Sequence, residues 1–256
     1  MRLCVLCEVE KIPIVYRQYF ESIIKKAFTE TEYESLFTNG KIPKPFCFAV
    51  LLPFSRKSAV EKLKIGNNII EDQVFYFQKN QYIKWIISSY NQMLITTLYN
   101  RLLDMKTYLM CNSEMKFKAF NILNDKIDNK TKTLIFKTIS PILIEDKEEN
   151  PILLSEDEEL FNKNANVIHN QILKTLKGQE LHSSMKFTPI NISSVVVKHY
   201  VREFAEKTKK PYMSLTCNRG IIKISGSPED LEFFYEKGFG LRTAQGFGMV
   251  EVIDYE

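Results

Sequence analysis

Apolar residues alternate in some stretches of the chain and recur every three to four positions in others. The two periods outline an ordered series of strands and helices. Leu3, Val5, Cys7 and Val9 share one face of a strand over 2–9, and Pro13 ends it. Tyr16, Tyr19, Phe20, Ile23, Ile24, Ala27 and Phe28 then follow at helical spacing, with Arg17, Lys25 and Lys26 on the outer side. Asn39-Gly40 and Pro43 break the pattern before a buried strand over 46–54. Two strands, 74–77 and 82–89, flank a turn at Lys79-Asn80. Leu94, Leu98 and Leu102 make the stripe of a helix over 91–105, and 117–128 reads as a further strand.

The second half repeats the scheme. A strand over 133–143 leads into a helix marked by Leu160, Phe161, Ala165, Ile168, Ile172 and Leu176. Residues 185–201 carry strand material, including β-branched Val195, Val196 and Val197, and Arg219-Gly220 suggests a turn between strands at 212–217 and 221–225. Ser227-Pro228-Glu229-Asp230 is a helix start: a capping serine, proline in the first turn, and acids at the positive end of the dipole. Leu231, Phe234 and Tyr235 give that helix an apolar face, and 249–253 closes the series. Each half reads β-α-β-β-α-β. The expected class is therefore α+β: two tandem ferredoxin-like (RRM-like) domains with antiparallel sheets, over 1–130 and 131–256. No sequence repeat links the halves; the duplication rests on element order.

Composition adds boundaries. Of 256 residues, 45% are hydrophobic and 26% charged, an ordinary globular balance. No run of 18 apolar residues suggests a membrane span, and the strand pattern begins at once without a secretory signal, so a cytoplasmic location is expected. The five cysteines, Cys4, Cys7, Cys47, Cys111 and Cys217, are an odd, scattered set with no disulfide framework. Cys4 and Cys7 fall on opposite faces of a strand, with no second pair at zinc spacing, so no metal is expected. The net charge of +4 hides an asymmetry: 145–159 holds eight acids and one lysine, a local −7, which leaves +11 elsewhere. A positive surface of that size favours polyanions.

The densest chemistry lies in Gly238-Phe239-Gly240-Leu241-Arg242-Thr243-Ala244-Gln245-Gly246-Phe247-Gly248, which holds four of the nine glycines. Glycine admits positive φ and leaves amides uncovered. With Lys237 and Arg242 beside them, those amides are expected to cradle phosphodiester oxygens. A dinucleotide-binding loop would follow the first strand of a parallel unit, and a Walker loop needs Gly-Lys-Ser/Thr; neither fits. A polymerase-like palm needs converging carboxylates, and the acids at 145–149 have no placed partner.

From Lys237 to Val250 the segment resembles the C-terminal signature of the CRISPR repeat-processing endoribonucleases, the Cas-six (RAMP) family. Lys44-Pro45-Phe46-Cys47-Phe48 resembles the basic-aromatic entry to that family's second strand. Thr138-Ile139-Ser140-Pro141-Ile142-Leu143 is similar to the opening of its second half. The resemblance implies binding of CRISPR repeat RNA and one metal-independent, cofactor-free cut. A 2′-hydroxyl attacks the adjacent phosphate and leaves a 2′,3′-cyclic phosphate and a 5′-hydroxyl. CRISPR effector-complex subunits are further candidate partners, whether the product is retained or handed on stays open, and the protein is expected to be a monomer or homodimer.

Many members place a histidine near the end of the first helix; here Phe37 falls at about that point. The family's lysine before the second strand is matched by Lys44. Cleavage would then rest on Lys44 with Tyr33 and Lys25, and RNA binding on Lys41, Lys198, His199, Lys237, Gly238, Gly240, Arg242, Gly246 and Gly248. The competing expectation is a paralogue that binds repeat RNA without cutting it. His169 reads as a structural helix residue, and His182 lies in a loop of unassigned role.

Overall fold

The computed structural model describes residues 1–38, 42–65, 68–123, 127 and 130–255. The chain begins with β1 (Arg2–Glu8), β2 (Lys11–Pro13), α1 (Arg17–Ala27), β3 (Phe46–Leu51), β4 (Lys57–Ile65) and β5 (Asn68–Tyr76). It continues through β6 (Ile83–Ser89), α2 (Gln92–Met105), β7 (Thr107–Met110) and β8 (Ser113–Leu123). The second half is β9 (Thr133–Thr138), α3 (Glu158–Lys177), β10 (Lys186–His199), α4 (Arg202–Thr208), β11 (Met213–Ser225), α5 (Pro228–Lys237) and β12 (Val250–Tyr255). Short 3-10 turns lie at Glu34–Phe37 and Thr243–Gln245.

Strand order runs β3-β6-β1-β8-β7 in one sheet and β10-β11-β9-β12 in another, with every pairing antiparallel. In each sheet four strands follow the ferredoxin-like connection, the first and third side by side at the centre. The expected class holds: α+β, with two ferredoxin-like halves. No helix among the described residues is long and apolar enough to cross a membrane.

The helices sit where the capping chemistry puts them. Asn91, Asp157 and Ser227 each accept a hydrogen bond from the first turn of α2, α3 and α5, worth about 1 kcal/mol apiece. Phe20 from α1 meets Trp85 of β6 at 5.1 Å between ring centroids, and both are fully buried. Burial of each such ring contributes roughly 2–3 kcal/mol. The second core gathers Phe136, Phe161, Phe187, Phe234 and Phe239 around His169. That histidine is buried, its Nδ1 donating to Ala165 O and its Nε2 accepting from Gly240 N. On the outer edge of the second sheet, Asn162 and Asn166 each bond both backbone groups of one residue, Phe187 and Met185.

Several expectations change. Residues 74–77 and 82–89 do flank a turn, but they pair in different sheets. β5 joins β2 and β4 in a third, three-stranded sheet, while β6 pairs with β1 and β3. The β4–β5 pair had no expected counterpart, because charged residues interrupt its alternation. Arg219-Gly220 is no turn: Arg219 pairs with Ser193 and Gly220 with Ile192, so β11 runs straight through. β9 stops at Thr138 rather than reaching 143, and β8 ends at Leu123; 124–126 and 128 lie outside the described residues.

The halves are pinned together from both chain ends. The Arg2 guanidinium stacks on Tyr235 at 3.8 Å and donates to the carbonyls of Tyr235 and Val250 at 3.1 and 2.7 Å. Cys4, Cys47, Ala49 and Ile86 of the first sheet pack on Met249. Lys198 of β10 places its ammonium 2.8 Å from both oxygens of Asp72 in β5.

Candidate functional site

The glycine-rich segment leaves α5, crosses the seam between the halves and enters β12. It is packed, not open. Gly238 N donates to Phe234 O, Gly240 N to His169 Nε2, Gly246 N to Thr243 O and Gly248 N to Pro141 O, at 2.7, 2.9, 3.2 and 2.8 Å. The expected cradle of bare amides at Gly238, Gly240, Gly246 and Gly248 is therefore corrected: their donors are already satisfied within the protein. The glycines serve close approach instead. At Gly240 (φ 78°) an added Cβ would lie 2.5 Å from Leu143 O, and at Gly246 (φ 89°) 2.8 Å from the Phe48 ring. Lys237 is also corrected as a surface phosphate contact. It is 2% exposed, and burial pushes its ammonium down to about 8.

The segment does deliver two side chains, Arg242 and Gln245. Gln245 Oε1 lies 3.2 Å from His199 Nε2 and 3.4 Å from the Arg242 guanidinium. Gln245 also lowers the Glu21 carboxyl. Glu21 stands on α1 between Arg17 and Lys25, each four residues away, so the three share one helical stripe. Arg17 Nε donates to Gly246 O at 3.3 Å, and its guanidinium lies 5.3 Å from the centroid of the Phe247 ring.

Electrostatics draw further groups to this point. Burial raises the Glu21 carboxyl, while Gln245, Lys25, Lys44 and Arg242 pull it back down. Burial lowers the Lys44 ammonium, and the Glu21 charge opposes that. Arg242 also faces Glu145, whose carboxyl is raised by its own burial against the pull of that guanidinium. His199 is 1% exposed and held down to about 4 by burial, with Arg242 and Arg17 adding to the effect. Its imidazole is neutral, and it donates through Nε2 to Gln245.

Three sequence-nominated residues, Lys25, Lys44 and Arg242, thus act electrostatically on Glu21. His199 reaches the group only through Gln245, as a buried hydrogen-bond donor and not as a surface phosphate contact. Tyr33 is directed elsewhere; its ring packs on Phe28 at 5.3 Å. Phe37 is wedged between Phe28 and Phe46. Lys198 is committed to Asp72, and Lys41 lies outside the described residues. Sequence reasoning missed Arg17, Glu21 and Gln245 as partners. The four-residue spacing of Arg17, Glu21 and Lys25 was the available signal. Among the described residues no three metal-ligating side chains converge.

No curated protein matches the sequence. Among solved structures, the fold is similar to a RAMP protein described as binding different RNA substrates. That match has a TM-score of 0.73 and 18% identity, covering 99% of this chain and 100% of the other. It is also similar to the product of a Cas6-related gene from Pyrococcus furiosus, with a TM-score of 0.70, 18% identity and coverage of 99% and 98%. A Cas6 product complex matches with a TM-score of 0.63 and 9% identity over 98% and 99% of the two chains. At these identities the structures establish the fold. The family model for CRISPR associated protein Cas6, C-terminal, matches residues 123–252, 130 of the 256 residues. The match covers the second half as far as Val252, glycine-rich segment included, and the chain belongs to the Cas6 family.

Proposed function

We propose that this protein processes CRISPR precursor RNA, binding the repeat and cutting it once within the repeat. The observation that carries the reading is the match of the Cas6 C-terminal family model to residues 123–252; Lys25, Lys44 and Arg242, each acting electrostatically on Glu21, supply positive charge beside it. The step is attack of a ribose 2′-hydroxyl on the adjacent phosphate. It leaves a 2′,3′-cyclic phosphate and a 5′-hydroxyl and needs no metal or cofactor. The developing phosphorane gains negative charge, and three cations drawn from α1, the approach to β3 and the C-terminal segment suit that charge. Lys44 is the candidate proton donor to the leaving 5′-oxygen, because half-burial eases loss of its proton. In-line placement of the hydroxyl supplies much of the remaining rate. The working units are two tandem domains, 1–130 and 131–256, with the RNA crossing their junction.

The test is incubation of purified protein with end-labelled repeat RNA in EDTA. A single cut with a cyclic-phosphate end is expected. Lys44→Ala should slow it by about 10²-fold or more while affinity is largely kept. A tight gel shift without product would defeat the enzyme reading and leave a repeat-binding paralogue.

A further inference from the structure

We propose that β10 offers its open edge to a second copy of this chain, the two strands pairing antiparallel about a two-fold axis at Ser194. The inference stands apart from the cleavage reading. β10 is an outer strand of the second sheet, and among the described strands it pairs with β11 alone. The phase of its backbone follows from its neighbours. Phe187 turns its N–H and C=O to Asn162, away from β11. Beyond the register shift at 189–191, Ser194 stands opposite Asn218, whose own N–H and C=O turn to Ile142, both at 2.8 Å. Ser194 and Asn218 are thus a pair without ladder bonds, so Ile192, Ser194 and Val196 direct their backbone groups outward. No hydrogen bond reaches those six groups among the described residues.

The open stretch has defined ends. Upstream, Asn166 and Asn162 hold the edge at Met185 and Phe187, and Pro189 has no N–H to offer. Downstream, Lys198 is tied to Asp72 of β5 at 2.8 Å. Residues 190–198 lie between, with Ser194 at their midpoint. From Thr188 to Val197 no side chain is charged, and Ile190, Ser194 and Val196 are exposed. The other edges are guarded. β4 carries Lys57, Glu61, Lys62 and Lys64, and β12 carries Glu251 and Asp254. β7 is four residues long, and β3 is packed by α5 and the Thr243–Gln245 turn.

A second copy fits this edge. Pairing about Ser194 sets Ile192 of one copy opposite Val196 of the other, and Ser194 opposite its counterpart. Each of these three pairs exchanges two main-chain bonds, which satisfies the six outward groups. β-branched side chains meet each other, and no like charges are brought face to face. The register also places 198 of one copy opposite 190 of the other, just short of the edge that the asparagines hold. An RNA strand would find no cation along this stretch.

The test is sedimentation velocity on RNA-free protein up to about 200 μM, since one edge pair is small for a stable interface. A reversible particle of twice the monomer mass is expected. Ser194→Lys and Ser194→Glu each set like charges together at the axis, and each should raise the concentration needed for association at least about tenfold. Circular dichroism checks that both variants fold, as substitution of an exposed side chain predicts. Mixed one to one, they place opposite charges at the axis and should recover the double mass. A native protein that stays monomeric throughout, variants that associate like the native protein, or a mixture that stays monomeric would overturn the proposal.

Discussion

Replacing Lys237 by methionine should stabilise the protein at neutral pH. Lys237 is 2% exposed at the end of α5, and burial brings its ammonium from the ordinary 10.5 to about 8. The Cys47 thiol beside it is itself pushed up to about 12, so at pH 7 it is neutral and offers little compensation. At 1.36 kcal/mol per pH unit, the folded state disfavours the charged form by roughly 3 kcal/mol. The sign follows from proton counting. Between pH 8 and 10.5 the unfolded chain holds a proton that the folded chain has released, so the contribution of Lys237 rises with pH across that window. Below pH 8 its penalty is present in full. Methionine has a similar length and no charge, so Lys237→Met should gain about 1–3 kcal/mol at pH 7 after some loss of packing, and this advantage over the native protein should shrink from pH 8 to 10. The buried thiols of Cys7, Cys47 and Cys217, raised by burial, lower the stability of both proteins alike over that range, so the difference between them is the readout. Urea unfolding at pH 7, 8, 9 and 10 reads both effects, and a filter-binding assay with repeat RNA should show affinity unchanged within about twofold. An advantage that does not shrink above pH 8, or a methionine variant that binds RNA much more weakly, would refute the reasoning.

His169 has a dependence of the same sign on the acid side. Its imidazole is held down to about 3 by burial, so stability should fall by roughly 2–3 kcal/mol from pH 7 to 4.5 as the unfolded state takes up its proton. His169→Gln keeps an acceptor for Gly240 N, and chemical denaturation at the two pH values should show a smaller fall. Gly246→Ala should cost about 2–4 kcal/mol in thermal or urea unfolding, because an added methyl meets both a positive φ and the Phe48 ring at 2.8 Å. Lys198→Met should destabilise by about 1–3 kcal/mol by leaving Asp72 buried without its cation. The salt dependence of RNA binding should stay unchanged in that variant, since the lysine is committed within the protein.

Most of the scaffold could be read from residue order, because its strands and helices carry clean periods of two and 3.6. The helix at Ser227 was explicit in its cap and proline. The β4–β5 pair was not, since Lys57, Glu61, Lys62, Lys64 and Glu71 break up the apolar alternation of a small, half-solvated sheet. Gly220 was misleading because glycine in a long strand looks like a turn until its partner strand is known. The site shows the same division. The glycine-rich segment was recognisable, but its chemistry was misassigned, because uncovered amides and amides bonded within their own half look alike along the sequence. Gln245 was invisible for a similar reason: its partner His199 is 46 residues away and meets it only in the folded half.

The Arg2 pin has a consequence for biosynthesis. Its acceptor at Val250 is 248 residues away in sequence. At about 5–20 residues per second, a ribosome takes roughly 12–50 s to travel between them. Throughout that interval the early sheet exists without its latch, and Cys4, Cys47, Ala49 and Ile86 have no Met249 to cover them. A transcript that stalls before codon 249 would release a protein with this sticky flank exposed, a natural substrate for chaperones or degradation. The geometry thus ties completion of the polypeptide to closure of the seam between the halves.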